Sequence, residues 1–330
     1  MAQPASAPAY RVTKEVQLGA PDHWDAVVFD TASHRVYVAH SDRVSIVDGR
    51  DGRIIGEVSG ISEHRGVHGI AIAGRSSKGY TDDGEAGTGV AFDLKTLKTL
   101  VRIKAKDDAD AVVYDPSGGH IFIINGGESK AITVIDPKTD SVVATINTGG
   151  GLEYAVAPGD GKLYVNGSGN RELIRIDTHT NAIDARWPTP DCERPHGLAF
   201  DSRSRRAFMT CVNRTMAVVN ANTGAVIASL PINEGSDAAA FDPVRHLAFS
   251  SSGDGTISVV REEDPNTFVA LGFFRTRVTG RTMAIDPQTG RLFVPAADVE
   301  TTAAPDPKGR PDRGQLRPGS LKLLFIDPVP

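Results

Sequence analysis

Cysteine is nearly absent from this chain: there are two in 330 residues, Cys192 and Cys211. That excludes a disulfide-dense scaffold. Aromatic residues are scarce at 6%, and basic charge is in deficit, with 36 Lys and Arg against 41 Asp and Glu for a formal charge of -5. A polyanion binder carries the opposite balance, so nucleic acid is not an expected partner. No apolar run approaches the ~20 residues of a membrane span. The chain also has no G-x-x-x-x-G-K-[ST] phosphate loop, no G-x-S-x-G elbow and no C-x-x-C pair. Turn formers are plentiful, 34 Gly and 20 Pro, and a 40% hydrophobic content supports a sizeable core.

The first ten residues, MAQPASAPAY, have neither the charged n-region nor the apolar h-region of a signal peptide. Their Ala, Pro, Ser and Gln resemble the first residues left after signal cleavage, which predicts a periplasmic or secreted protein. A frayed cytoplasmic tail is the alternative. Residues 1–10 are expected to form a disordered tail and residues 11–330 a single domain.

Internal repetition decides the fold. A short apolar strand ending in Asp, a turn and a second apolar strand recur as AVVFD then RVYVAH, AVVYD then HIFIIN, and GLAFD then RAFMTC. AAAFD then LAFSSS and MAID then RLFVPA continue the series, with divergent copies at GIAIA and YAVAP. The anchors Asp30, Ala73, Asp115, Pro158, Asp201, Asp242 and Asp286 are spaced by 43, 42, 43, 43, 41 and 44 residues. Each copy adds third and fourth strands separated by Gly, Asn or Asp turns, the mark of antiparallel hairpins. Four strands per period predict an all-β, seven-bladed propeller. The seventh copy stops after three strands, and RVTKEVQLG (11–19) has the pattern of the missing fourth, so the N-terminal strand should complete the last blade and close the ring.

The segments VYVAHSDRVSIVD, HIFIINGGESKAITVIDPKTDSVVATI and LYVNGSGNRELIRIDTHT resemble the YVTN-type, YncE-like propeller repeats over about residues 11–328. The resemblance implies the same fold and an exported protein. It does not bring the single-stranded DNA binding linked to one YncE-like member, because no basic groove with stacking aromatics is in view.

In a propeller the first strand of each blade lines the central channel. The residue five before each anchor should therefore share one level of the channel mouth. It reads Asp25, His68, Asp110, Glu153, His196, Asp237 and Arg281, every one ionisable. The preceding residues, such as Val67, Ala109 and Pro195, carry no charge, and a one-residue slip in blade four would put Leu152 in place of Glu153. With neutral histidines the level holds about three negative charges, which would attract a cation or cationic ligand. Asp25, His68 and Arg281 are candidate ligand-binding residues. Asp110, Glu153, His196 and Asp237, from successive blades, are a candidate set for one divalent metal such as Zn²⁺ or Mn²⁺. A solvated mouth in which Arg281 pairs with Asp237 and Asp25 is the alternative. His64 and His68 in EHRGVH form no helical ligand pair, since only His68 should point inward.

His40, at a second-strand exit beside Asp25, and His196 are candidate acid–base residues; a histidine bonded to a loop carbonyl is the rival reading of His40. Cys192 and Cys211 flank blade five on the same face, so a disulfide between them is geometrically reasonable. Residues 297–320 form an insertion in blade seven with no aliphatic periodicity, expected to be irregular and placed on the ring's face. The leading expectation is a monomeric exported propeller that binds a small molecule, cation or partner at the channel mouth. A metal-dependent hydrolase or lyase, lactonase-like by fold analogy, is the second reading and a scaffold or surface repeat protein the third.

Overall fold

The computed structural model describes residues 7–63, 66–301 and 315–329. They form seven four-stranded antiparallel sheets and one two-stranded ribbon. The sheets are propeller blades, and their innermost strands are Val27–Asp30, Ile70–Ala73, Ala109–Tyr114, Ala155–Val156, Pro195–Asp201, Ser236–Asp242 and Ala284–Ile285. One turn of 3-10 helix, Gly74–Ser76, is the sole helical segment among the described residues, and no helix there is long and apolar enough to cross a membrane.

The repeated aspartate has a local cause. It ends the first strand, and its carboxylate accepts backbone N–H bonds from the next turn, replacing the partners that the strand ladder no longer supplies. Asp30 takes Ala32 and Ser33, Asp201 takes Arg203 and Ser204, and Asp242 takes Val244 and Arg245, at 2.9–3.3 Å. Blade two has Ala73 at this position and turns through its 3-10 segment instead.

The few aromatic residues are spent between blades. Phe29 stacks on Phe293 of the neighbouring blade at 5.2 Å, Phe200 on Tyr164 at 4.9 Å and Phe241 on Phe208 at 5.1 Å. The residue before each of these anchors thus packs on the second strand of the preceding blade. Such pairs add about 0.5–1.5 kcal/mol beyond the area they bury.

Blade seven closes the molecule. Tyr10–Gln17 pairs antiparallel with Lys322–Pro328, from Tyr10 opposite Pro328 to Gln17 opposite Lys322. The strand begins inside the segment expected to be a tail. Tyr10 is buried, stacked on Phe274 at 4.8 Å, and Ala9 accepts the Val329 N–H at 2.8 Å. Residues 7–10 thus belong to the described structure, and residues 1–6 lie outside it.

The insertion in blade seven is not wholly irregular. Its stem forms the two-stranded ribbon, Val299 opposite Leu316 and Thr301 opposite Gln315. Residues 302–314 lie outside the described residues. Cys192 and Cys211 are joined in a buried disulfide that ties the loop entering blade five to that blade's second strand.

Ring closure gives the last blade its fourth strand and keeps Lys322–Pro328 from being an edge. Deleting residues 7–17 should expose Lys322–Pro328 and yield dimers or aggregates in size-exclusion chromatography with light scattering. A monomer that melts like the intact chain would contradict this role.

Candidate functional site

The first strands do more than line the channel: they aim one side chain each into its mouth. The loop reaching each strand ends, in four blades, on a left-handed residue two before the ring position. These are Asp108 (φ 62°), Arg194 (φ 42°), Gly235 (φ 72°) and Thr279 (φ 79°), ahead of Asp110, His196, Asp237 and Arg281. The ladder then slips by a bulge at Asp110, at His196–Gly197 and at Asp237–Ala238. A bulge re-aims a side chain, and here it does so at the same level three times. Thr279 is a β-branched residue in a region such residues avoid. Its hydroxyl is held by the Ala297 carbonyl at 2.9 Å and the Ala297 N–H at 3.0 Å.

The level is narrow. A Cβ on Gly69 would stand 2.2 Å from the Val112 nitrogen, and one on Gly197 would stand 2.6 Å from Ala238 and Asp237 backbone atoms. Glycine follows each ring histidine because the next blade's backbone occupies that space.

All seven residues converge as the five-residue offset predicts, Asp237 buried and the others partly buried. Arg281 donates to Asp237 Oδ2 at 2.6 Å and to the Trp24 carbonyl at 2.8 Å, with Asp25 at 3.9 Å. His196 sits between two carboxylates, Nε2 3.6 Å from Glu153 and Nδ1 3.4 Å from Asp237, and its Nδ1 is buried without an aligned hydrogen-bond partner. His68 Nδ1 meets Asp82 Oδ2 at 3.1 Å, while Asp82 Oδ1 accepts the Gly69 N–H at 2.6 Å. In blade five the matching Gly197 N–H is taken by the Thr210 hydroxyl at 2.9 Å. A neutral hydroxyl thus suffices for the backbone, so the buried charge of Asp82 serves the His68 ring. The Asp110 carboxylate has neither an ion pair within 4 Å nor a hydrogen-bond donor among the described residues.

The electrostatics follow from shared burial and crowded acids. Burial, above all, pushes Asp25 up to about 7 against the pull of Arg281, and Glu153 up to about 8 against that of His196. Asp110 is also raised, chiefly by burial. Burial would lower both histidines. Asp82, Asp25 and Asp110 outweigh it at His68, and Asp237, Glu153 and Asp110 at His196, so both rise to about 9. Asp237 goes the other way: despite burial, Arg281 and His196 hold it well below the ordinary carboxylate range. Desolvation favours neutral imidazole, so raised acids together with raised histidines report a negative local field. The ring keeps that field partly masked with protons. Its net charge near neutral pH is therefore smaller than the three negative charges counted from neutral histidines and ionised acids.

Two residues of the site escaped the repeat pattern. Asp82 lies one residue before the strand exit at Asp83, in the run TDD, where alternation gave no reason to prefer it. Tyr154 follows Glu153 where blade four has lost its anchor aspartate and its first strand has shrunk to Ala155–Val156. Its hydroxyl is buried with no hydrogen-bond partner, and burial above all, then Asp237 and Asp25, raises it well above the usual phenol range.

His40 is placed differently from its expected acid–base role. It is buried, with Nδ1 on the Ser45 hydroxyl at 2.8 Å and Nε2 on the Pro21 carbonyl at 2.5 Å, and burial lowers its pKa. Both ring nitrogens are taken, Nε2 by the segment that leads into blade one and Nδ1 by Ser45 within that blade. The metal set Asp110, Glu153, His196 and Asp237 is brought together but does not fit a coordination sphere. Asp237 is bound to Arg281, both nitrogens of His196 face carboxylates, and among the described residues no group of three or more His, Cys, Asp or Glu is arranged to hold a metal. His64 lies outside the described residues. A separate cleft of about 270 Å³, against Val28, Ile72, Val113 and Tyr114, lies along the inner strands of blades one to three and does not include the ring.

No family model matches this sequence, and no curated protein matches it significantly. Among solved structures, a chain of the Kuenenia stuttgartiensis hydrazine synthase is similar at 14% identity and a TM-score of 0.72, over 83% of this chain and 92% of that one. A likeness at that identity shows the propeller fold alone.

Asp25, Glu153, His68 and His196 each hold a proton more tightly folded than unfolded, so the native state binds the surplus and stability falls as pH rises through this range. The window runs from the ordinary values, about 4 for the acids and 6.5 for the imidazoles, up to about 7, 8 and 9. Asp237 is fully ionised across it, and His40, lowered by burial, contributes the opposite slope only near its lower end. The urea midpoint should decline between pH 6 and pH 9, and Glu153→Gln should flatten the decline. A midpoint that rises over that interval would contradict the assignment.

Proposed function

We propose that this chain is an extracytoplasmic, YVTN-type propeller that binds a small polar ligand at its channel mouth. One observation carries the reading: in the ring the Tyr154 hydroxyl is buried without a hydrogen-bond partner, and Asp110 has no ion pair within 4 Å among the described residues. A buried polar group left unsatisfied costs about 1–3 kcal/mol. An unsatisfied hydroxyl among clustered charges at the channel mouth is what a ligand site uses, and a scaffold gains nothing from it. The buried disulfide supports an oxidising compartment.

The His68–Asp82 pair supports a second reading, an acid–base enzyme acting in the same mouth. An imidazole oriented through Nδ1 by a buried carboxylate presents Nε2 for proton transfer. A metal-dependent version has no support in the donor geometry.

A thermal-shift screen of small metabolites, run on the intact protein, tests the binding reading. A ligand held at about a hundred times its Kd should raise Tm by about 5 °C. The same compound should give no shift with Tyr154→Phe combined with His196→Gln, provided that variant's own melting remains cooperative. Shifts that survive in the double variant would place binding elsewhere.

A further inference from the structure

We infer that the Cys192–Cys211 disulfide is the positioning element of the ring at blade five: it holds the loop that aims His196 between Glu153 and Asp237, and the ring is complete only while the two sulfurs are joined. This role holds whatever the ring binds. His196 needs such support because its own contacts are long. Nε2 lies 3.6 Å from Glu153 and Nδ1 3.4 Å from Asp237. An aligned N–H···O bond is shorter, about 2.7–3.2 Å. His68, by contrast, is locked to Asp82, whose carboxylate meets Nδ1 at 3.1 Å and accepts the Gly69 N–H at 2.6 Å.

The backbone at His196 is also held more weakly than at the other bulges. The ladder pairs Pro195 with Cys211 and resumes only at Leu198 opposite Met209, so His196 and Gly197 have no ladder partner. Ahead of the bulge, blades three and six have Ala109 and Ser236, each with an N–H, whereas Pro195 has none to donate. Arg194 before it sits at φ 42°, a costly conformation for a residue with a side chain. Asn213 ties the loop only from its exposed side, donating to the Asp191 carbonyl at 2.9 Å and accepting the Glu193 N–H at 3.1 Å.

The disulfide supplies what is missing. Cys211 stands opposite Pro195, Cys192 lies in the loop that leads to His196, and both are fully buried. From Cys211 the tie continues into blade six. Its carbonyl accepts the Ser236 hydroxyl at 3.2 Å, and Ser236 immediately precedes Asp237. One cystine thus reaches both members of the His196–Asp237 pair. A cross-link that acts through the unfolded chain gains most by closing a long loop. This one spans 19 residues inside a hairpin already paired from Leu198–Met209 to Asp201–Arg206.

The test replaces both cysteines, Cys192→Ala with Cys211→Ala, in the whole protein and follows the imidazole ¹⁵N signals of His68 and His196 through a pH titration. The His196 midpoint should fall by at least about one pH unit relative to the intact chain, toward the ordinary 6.5 or so, as its carboxylates recede. His68, fixed by Asp82, should keep its midpoint. Phe29→Leu, which loosens the contact between blades one and seven, should lower Tm and leave both midpoints in place. An unchanged His196 midpoint in a cysteine-free chain of lower Tm would overturn the inference and make the disulfide a staple. Equal falls at both histidines would overturn it as well, since they report general loosening. Where the cysteine-free chain does not fold, Ser236→Ala decides. It keeps the disulfide, removes the bond to the Cys211 carbonyl, and should move the His196 midpoint by a smaller amount and His68 not at all. Silence at His196 in that variant would then overturn the inference.

Discussion

Everything at the channel mouth depends on how closely seven inner strands approach one axis. Hydrogen bonds cross the blade boundaries there: Ala26 N–H to His68 O at 3.0 Å, Asn166 Nδ2 to the His196 carbonyl at 2.8 Å, and the Thr282 hydroxyl to the Asp25 carbonyl at 2.8 Å. Gly69 and Gly197 are needed because no Cβ fits between neighbouring blades there. The closing strand Tyr10–Gln17 sustains this closeness from the outside, since a ring with a loose seam would let the inner strands spread. Packing at the periphery therefore sets the distances between charges at the centre.

Those distances make the ring one electrostatic object. Five carboxylates, two imidazoles and a guanidinium share a largely buried volume, where charges interact more strongly than on the surface. The structure relieves part of the crowding by pairing and part by protonation. Asp110 is left with no ion pair within 4 Å among the described residues. Such a residue weakens the fold, and local costs of this kind concentrate where a protein does its work. Thr279, a β-branched residue at positive φ just ahead of Arg281, belongs with it as a local cost at the same level.

The fold was legible because its repeat has a local physical cause. The anchor aspartate recurs in five blades because its carboxylate caps the turn of the first hairpin, and a five-residue offset from that point is enough to find the ring. Blade four kept its place in the count even though Pro158 replaced the aspartate and its first strand shortened. The charge state was not legible, because residue types carry reference pKa values and the shifts at Glu153 and His68 come from burial and neighbours in other blades. His40 could not be assigned because its partner, the Pro21 carbonyl, belongs to an irregular segment with no period. Asp82 stayed hidden for a similar reason: its role is visible only once Thr210 is seen doing the backbone half of the same task in blade five.

The central claim is that Asp25, Asp110 and Glu153 belong to one coupled, partly buried network. Selective ¹³C labelling of their carboxyl carbons, followed by NMR from pH 3 to pH 10, tests it most directly. The account predicts that all three titrate above the ordinary carboxylate range, Asp25 near 7 and Glu153 near 8, with multiphasic curves that respond to one another's substitution. Three independent, single-step titrations near 4 would contradict it.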